Sequence, residues 1–224
     1  SISTAKILEG YLAATGGLES HRALNTLKAT GDFGLSTGGP LRNRLGDYMF
    51  FYKAPTMDVL QVEAISHGTS WTGHRDEHLI RRSTVAGAKM INGASMEIVE
   101  QCMASLLEWD IRDYSKVELI GKAQIQKRWA YAVRFTPKKG DPQVRYYDME
   151  NFLLVRIDQV QRYRANKDFS EAAYAISSYF EDYRQFGAVK LPQRIVVNRF
   201  PADLVFELGS IKANVEIPES VFKD

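Results

Sequence analysis

The chain has 224 residues, 45% of them hydrophobic and 25% charged, ordinary proportions for a globule with a real core. Lys and Arg number 29 against 27 Asp and Glu, and basic residues such as Lys116, Lys122, Lys127, Arg128, Lys138 and Lys139 are scattered over turns and strand edges. That balance argues against nucleic acid as the main partner. The single cysteine, Cys102, rules out an internal disulfide, and no run approaches the roughly 18 apolar residues of a membrane-spanning helix.

Ser3 or Thr4 can cap a first helix on which Ile7, Leu8, Tyr11 and Leu12 share a face, and Gly16-Gly17 stops it. Leu18 to Asn25 reads as a short second helical piece. Leu27, Ala29, Gly31, Phe33 and Leu35 then alternate, which opens a sheet. After a turn over residues 36–40, strands are predicted over 42–53 and 57–65, the first ended by Ala54-Pro55. A turn over 66–68 leads to a fourth strand beginning at Thr69. Residues 92–110 have helical length and period, with Met96, Val99, Met103, Leu106 and Leu107 in one stripe and Ile98 and Cys102 beside it. The stripe is either core packed against the sheet or the soft, Met-containing wall of an apolar cavity.

From Lys116 to Phe222 the rhythm is that of an antiparallel meander. Trp129, Tyr131, Val133 and Phe135 point one way along a strand, and Ala130, Ala132 and Arg134 the other. Residues 137–142 form a turn, 144–147 the return strand, 148–151 a second turn, and 152–158 the next strand. Gln159 to Ser170 is polar and reads as a hairpin arm or a loop. Ala172 to Tyr183 returns to strand, with Tyr179 and Tyr183 on one face and Phe180 on the other. A hairpin turn over 187–192 and strands over 193–200 and 204–216 complete the count. The expected fold class is α+β: about ten or eleven antiparallel strands with two or three helices, in a single domain over residues 1–224.

Three segments carry a resemblance: ILEGYLAATGGLESHRALNTLKATGDF, VELIGKAQIQKRWAYAVRFTPKKGDPQVRYYDMENFLLVRI, and YFEDYRQFGAVKLPQRIVV with IKANVEIPESVFK. In order along the chain they resemble the outer-membrane lipoprotein-sorting superfamily, the LolA/LolB-like proteins. The shared motifs are a helix with Gly-Gly, a strand–turn–strand with Lys-Lys-Gly-Asp and a Lys-Leu-Pro hairpin. The resemblance implies a curved half-barrel wrapped around helices. It also implies a periplasmic or envelope location, and an acylated or otherwise hydrophobic ligand between sheet and helices. A membrane-bound donor or acceptor protein is the partner such a carrier would meet. Ser1-Ile2-Ser3 looks like a trimmed mature end. The chain is longer than the lipoprotein carriers, and Gln159 to Ser170 lies outside the likeness.

On this view the ligand would be lined by Trp129, Tyr131, Val133 and Phe135 from the sheet and by Met96, Met103, Leu106 and Leu107 from the helix, with Trp71 and Phe50 as further candidates. Burial alone supplies affinity: each methylene taken from water contributes ~0.8 kcal/mol, so ten give a gross ~8 kcal/mol before ordering costs. No cofactor or catalytic group is required.

One motif points elsewhere. His74-Arg-Asp-Glu77-His78 matches H-x-x-E-H, the inverted zinc-peptidase pattern. On a helix His74 and His78 would share a face and Glu77 would polarise a water, with Glu97, Glu100 or Glu150 as third ligand. The flanks read instead as strand or loop. Glu181 and Asp182 alternate faces and do not converge as an acid–base pair. No serine elbow or phosphate loop is present, and the aromatics are not interleaved with a basic surface for stacking bases. Three classes remain: an apolar carrier, a zinc hydrolase, and a protein-interaction module with a filled core.

Overall fold

A computed structural model describes residues 2–37, 43–65, 68–75, 78–84, 93–108, 110–112, 114–163, 172–198 and 202–223. Two helices come first. In α1 (Thr4–Ala14) the Ser3 hydroxyl accepts from the Lys6 N–H, closing the first turn, and Ile7 and Tyr11 are the buried residues. Gly16 and Gly17, both at positive φ, turn the chain into α2 (Leu18–Arg22). Gly16 is confined there, because a Cβ would fall 2.2 Å from the Ala188 carbonyl oxygen.

Twelve strands follow, in one antiparallel sheet. The first meander is β1 (Thr26–Ser36), β2 (Asn43–Lys53), β3 (Met57–Ala64), β4 (Gly68–Arg75) and β5 (His78–Ser83). Helix α3 (Gly93–Leu107) then leads to the second meander. This comprises β6 (Tyr114–Ile125), β7 (Arg128–Pro137), β8 (Gln143–Asp148), β9 (Leu154–Tyr163), β10 (Ala172–Phe186), β11 (Val189–Val197) and β12 (Asp203–Ala213). A short 3-10 turn, Glu219–Phe222, ends the chain. Strand order is β5-β4-β3-β2-β1-β12-β11-β10-β9-β8-β7-β6, so β1 and β12 meet at the centre and, among the described residues, β5 and β6 are the open edges. The result is an open half-barrel. Register shifts at Thr30/Gly31, Phe33/Gly34 and Leu119/Gly121 mark bulges, the usual means of bending a sheet.

The inner face carries the main core. Alternate residues of nearly every strand join Ile7 and Tyr11 of α1 and most of α3 in one cluster, including Leu27, Phe50, Leu60, Val133, Phe180 and Phe206. The outer face has a smaller cluster of Phe51, Val59, Ile217 and Phe222, with Trp71 packed against it. The C-terminal segment therefore covers the outside of the first meander.

Several expectations change. The flank after Glu77, which reads as strand or loop, forms β5, and Gln159 to Tyr163 extend β9; residues 164–171 lie outside the described set. Tyr179 and Tyr183 lie on opposite faces. At Asp182, φ 54°, the backbone leaves the extended conformation without a register shift, and Tyr183 joins Phe180 on the inner side. Among the described residues no helix is long and apolar enough to cross a membrane.

Candidate functional site: an apolar cleft beneath helix α3

Helix α3 is buried almost all round. Met96, Ile98, Val99, Cys102, Met103, Leu106 and Leu107 are all in the core, and burial pushes the Cys102 thiol up to about 12, which leaves it inert. Between the end of this helix and the middle of the sheet lies an apolar cleft. Met103, Leu106 and Leu107 form one wall; Leu27, Phe50, Leu191, Phe206 and Leu208 are among the residues opposite, and Gln193 is the one amide side chain in the lining. Its cavity volume is ≈ 30 Å³, space for about two waters. Pockets that enclose a whole organic ligand run to roughly 300–1,000 Å³. The helix has settled onto the sheet.

The proposed lining residues separate accordingly. Phe50, Met103, Leu106 and Leu107 border the cleft. Met96, Tyr131, Val133 and Phe135 face the same interior but outside the cleft: Tyr131 stacks on Phe152 at 6.3 Å, and Phe135 meets the Tyr114 ring edge-on at 5.1 Å. Trp129 is 58% exposed, because it lies one residue into β7 beside the tight turn at Gln126 and Lys127. Trp71 is on the outer face, its indole N–H donating to Gln61 at 3.0 Å. Strand phase explains this: on β4, Ser70 and Thr72 face inward opposite Val62 and Leu60, so Trp71 between them faces out.

Two polar anchors hold α3. At its C-terminal end Arg145 of β8, fully buried, donates to Glu108 at 2.6 Å, the Tyr114 hydroxyl at 2.7 Å, Ser105 at 3.3 Å and Gln143 at 3.2 Å. Its guanidinium lies 4.0 Å over the Phe135 ring. Burial alone would lower its pKa, but Glu108, Tyr114 and Tyr147 outweigh that and raise it above the ordinary arginine value. Tyr11 ties α1 to the same end by donating to the Leu106 carbonyl at 2.9 Å. His21 of α2 is buried there too, 2.9 Å from the Thr15 hydroxyl. Burial lowers its pKa, against the contrary pull of the Leu107 and Thr15 backbone.

Nearer the N-terminal end, Glu100 projects into the sheet. His74 of β4 lies with Nδ1 3.0 Å from Glu100 Oε1 and 4.0 Å from Asp58 Oδ1 of β3. Asp58 and His74 are direct cross-strand partners. Burial pushes the Glu100 carboxyl up to about 7, opposed by the neighbouring Asp58 side chain and aided by the Glu97 charge. The Asp58 carboxyl is raised well above the usual range, first by burial and then by Glu100.

The zinc-peptidase geometry does not form. His74 lies one residue before the end of β4 and His78 begins β5, so the two lie on adjacent strands rather than one turn apart on a helix; Glu77 lies outside the described residues.

No protein-family model and no curated protein sequence matches the chain. Solved structures do. A LolA superfamily protein from Nitrosomonas europaea aligns at a TM-score of 0.58 and 12% identity, over 100% of this chain and 99% of that one. A DUF1329 family protein from Desulfovibrio piger aligns at 0.53 and 12%, over 100% and 98%. A putative outer membrane lipoprotein-sorting protein domain from Vibrio parahaemolyticus aligns at 0.53 and 10%, over 98% and 97%. The chain has the LolA-like fold, end to end.

Proposed function

We propose that this protein is a non-catalytic carrier of the cell envelope. It binds a lipid, a lipoprotein acyl group or a similar apolar molecule between the inner face of the sheet and α3. The observation that carries the reading is the cleft itself, which has an almost wholly apolar lining and lies at the centre of the half-barrel, where β1 meets β12. At ≈ 30 Å³ the cleft is too small for an acyl chain, so uptake requires α3 to rise from the sheet and expose Met103, Leu106 and Leu107. Ten buried methylenes supply a gross ~8 kcal/mol toward that opening. A periplasmic setting and a membrane-bound donor or acceptor accord with this role.

Native mass spectrometry of gently purified protein tests it. An added mass of several hundred daltons, lost on solvent extraction, is the expected result. In Leu107→Glu that mass is expected to fall away while circular dichroism retains the sheet, because a carboxylate in the wall opposes apolar contact. Undiminished loading of a folded Leu107→Glu protein would falsify this wall. The small cleft volume favours one other reading, an interaction module with a filled core. A bare polypeptide mass, with no uptake of an added fatty acid, would select it.

A further inference from the structure

The Asp58–His74–Glu100 cluster is unfinished as a protein hydrogen-bond network. Glu100 is 1% exposed, yet its Oε2 meets no protein donor, and neither does the buried Asp58 Oδ1. Orphaned carboxylate oxygens at such depth are costly and call for an explanation, a bound ion among them. One ligand atom from each of the three residues lies within 4.8 Å of the others. The residues come from β3, β4 and α3, so the grouping is a product of the tertiary fold. The His74 side chain is about one-third exposed (32%), which gives the cluster one open side toward solvent.

We propose that Asp58, His74 and Glu100 bind one divalent transition-metal ion of the zinc class, which pins α3 to the first meander.

The donor set fits that ion. Zinc takes imidazole nitrogen at about 2.0–2.1 Å and carboxylate oxygen at about 2.0–2.2 Å, so tetrahedral ligand atoms stand about 3.3 Å apart. The two distances from His74 Nδ1, 3.0 and 4.0 Å, bracket that spacing. Water on the open side would be the fourth ligand. Calcium needs six to eight oxygens and magnesium an oxygen octahedron, and an imidazole with two carboxylates supplies neither. A charge of +2 also offsets the charge of two carboxylates buried side by side. Of the H-x-x-E-H pattern the proposed site uses only His74.

The test is a zinc titration of the full-length, chelator-stripped protein, followed by calorimetry. Cobalt is used in parallel, because its visible absorption reports ligand geometry. One equivalent should bind, and both Glu100→Gln and His74→Ala should weaken binding at least 100-fold, with His78→Ala unchanged. Circular dichroism checks each fold; should Glu100→Gln fail to fold, the partly exposed His74→Ala decides. Absence of saturable binding overturns the proposal, as does binding that survives His74→Ala or is abolished by His78→Ala. The readout is metal, not lipid, so either outcome leaves the carrier reading to its own experiment.

Discussion

The two polar anchors of α3 differ in completeness. At the C-terminal end both Nε and Nη2 of Arg145 find partners in the core, and an aromatic ring closes one face of the guanidinium. Further back, Glu100 and Asp58 each keep an orphaned oxygen. Both anchors bury charge, but only the first is satisfied by the protein alone. Burial of an ionisable group therefore does not by itself mark a functional site. What marks it is the absence of an internal partner.

Breaking the complete anchor should have the largest effect. Arg145→Ala strands Glu108 and removes the cover from Phe135, and is expected to cost about 3–5 kcal/mol in urea denaturation. The paired change Arg145→Met with Glu108→Gln should recover most of that, since it removes both charges together. A full loss in the double variant would mean that packing over Phe135, not the ion pair, dominates.

The next effect is a pH dependence at the same end. His21 has its folded pKa below the unfolded value of about 6.5. Its contribution to stability is therefore complete above pH ~6.5 and lost as the pH falls from there through the lowered folded value. Urea midpoints at pH 7.5 and 5.5 should show the acid loss in the natural protein and a smaller loss in His21→Gln. Equal losses in the two would acquit His21.

The smallest effect belongs to the incomplete anchor. In metal-stripped protein His74→Ala is expected to cost under about 1 kcal/mol, because His74 is partly solvated and its bond is the only one it lends to α3 among those described. A cost near that of Arg145→Ala would show the cluster to be structurally self-sufficient.

Much of this fold can be read from local pattern. The Ser3 cap, the Ile7/Tyr11 stripe, the Gly16-Gly17 stop and the alternation from Leu27 onward all act over a few residues, so the sequence displays them directly. The helix stripe Met103, Leu106 and Leu107 reached the cleft for the same reason. What local pattern misses is phase. The left-handed backbone at Asp182 turns Tyr183 inward, and strand ends leave Trp129 in solvent, although neighbouring residues continue the expected alternation. The polar anchors did leave a signal. Asp58 is in phase with Leu60 and Val62, and Arg145 with Tyr147, so each is a charge at a core position. Their partners on α3 are far along the chain, and only the folded sheet brings them together.

The seam where β1 pairs with β12 also bears on how the protein folds. Within each meander, strands pair with sequence neighbours through hairpins, contacts that form early and cheaply. Leu27 pairs with Ala213 across nearly the whole chain. Closing so long a loop costs on the order of 4–5 kcal/mol in chain entropy before the seam returns anything. The two meanders should thus acquire structure separately and join late, with the cleft, which straddles that seam, among the last parts of the molecule to take shape.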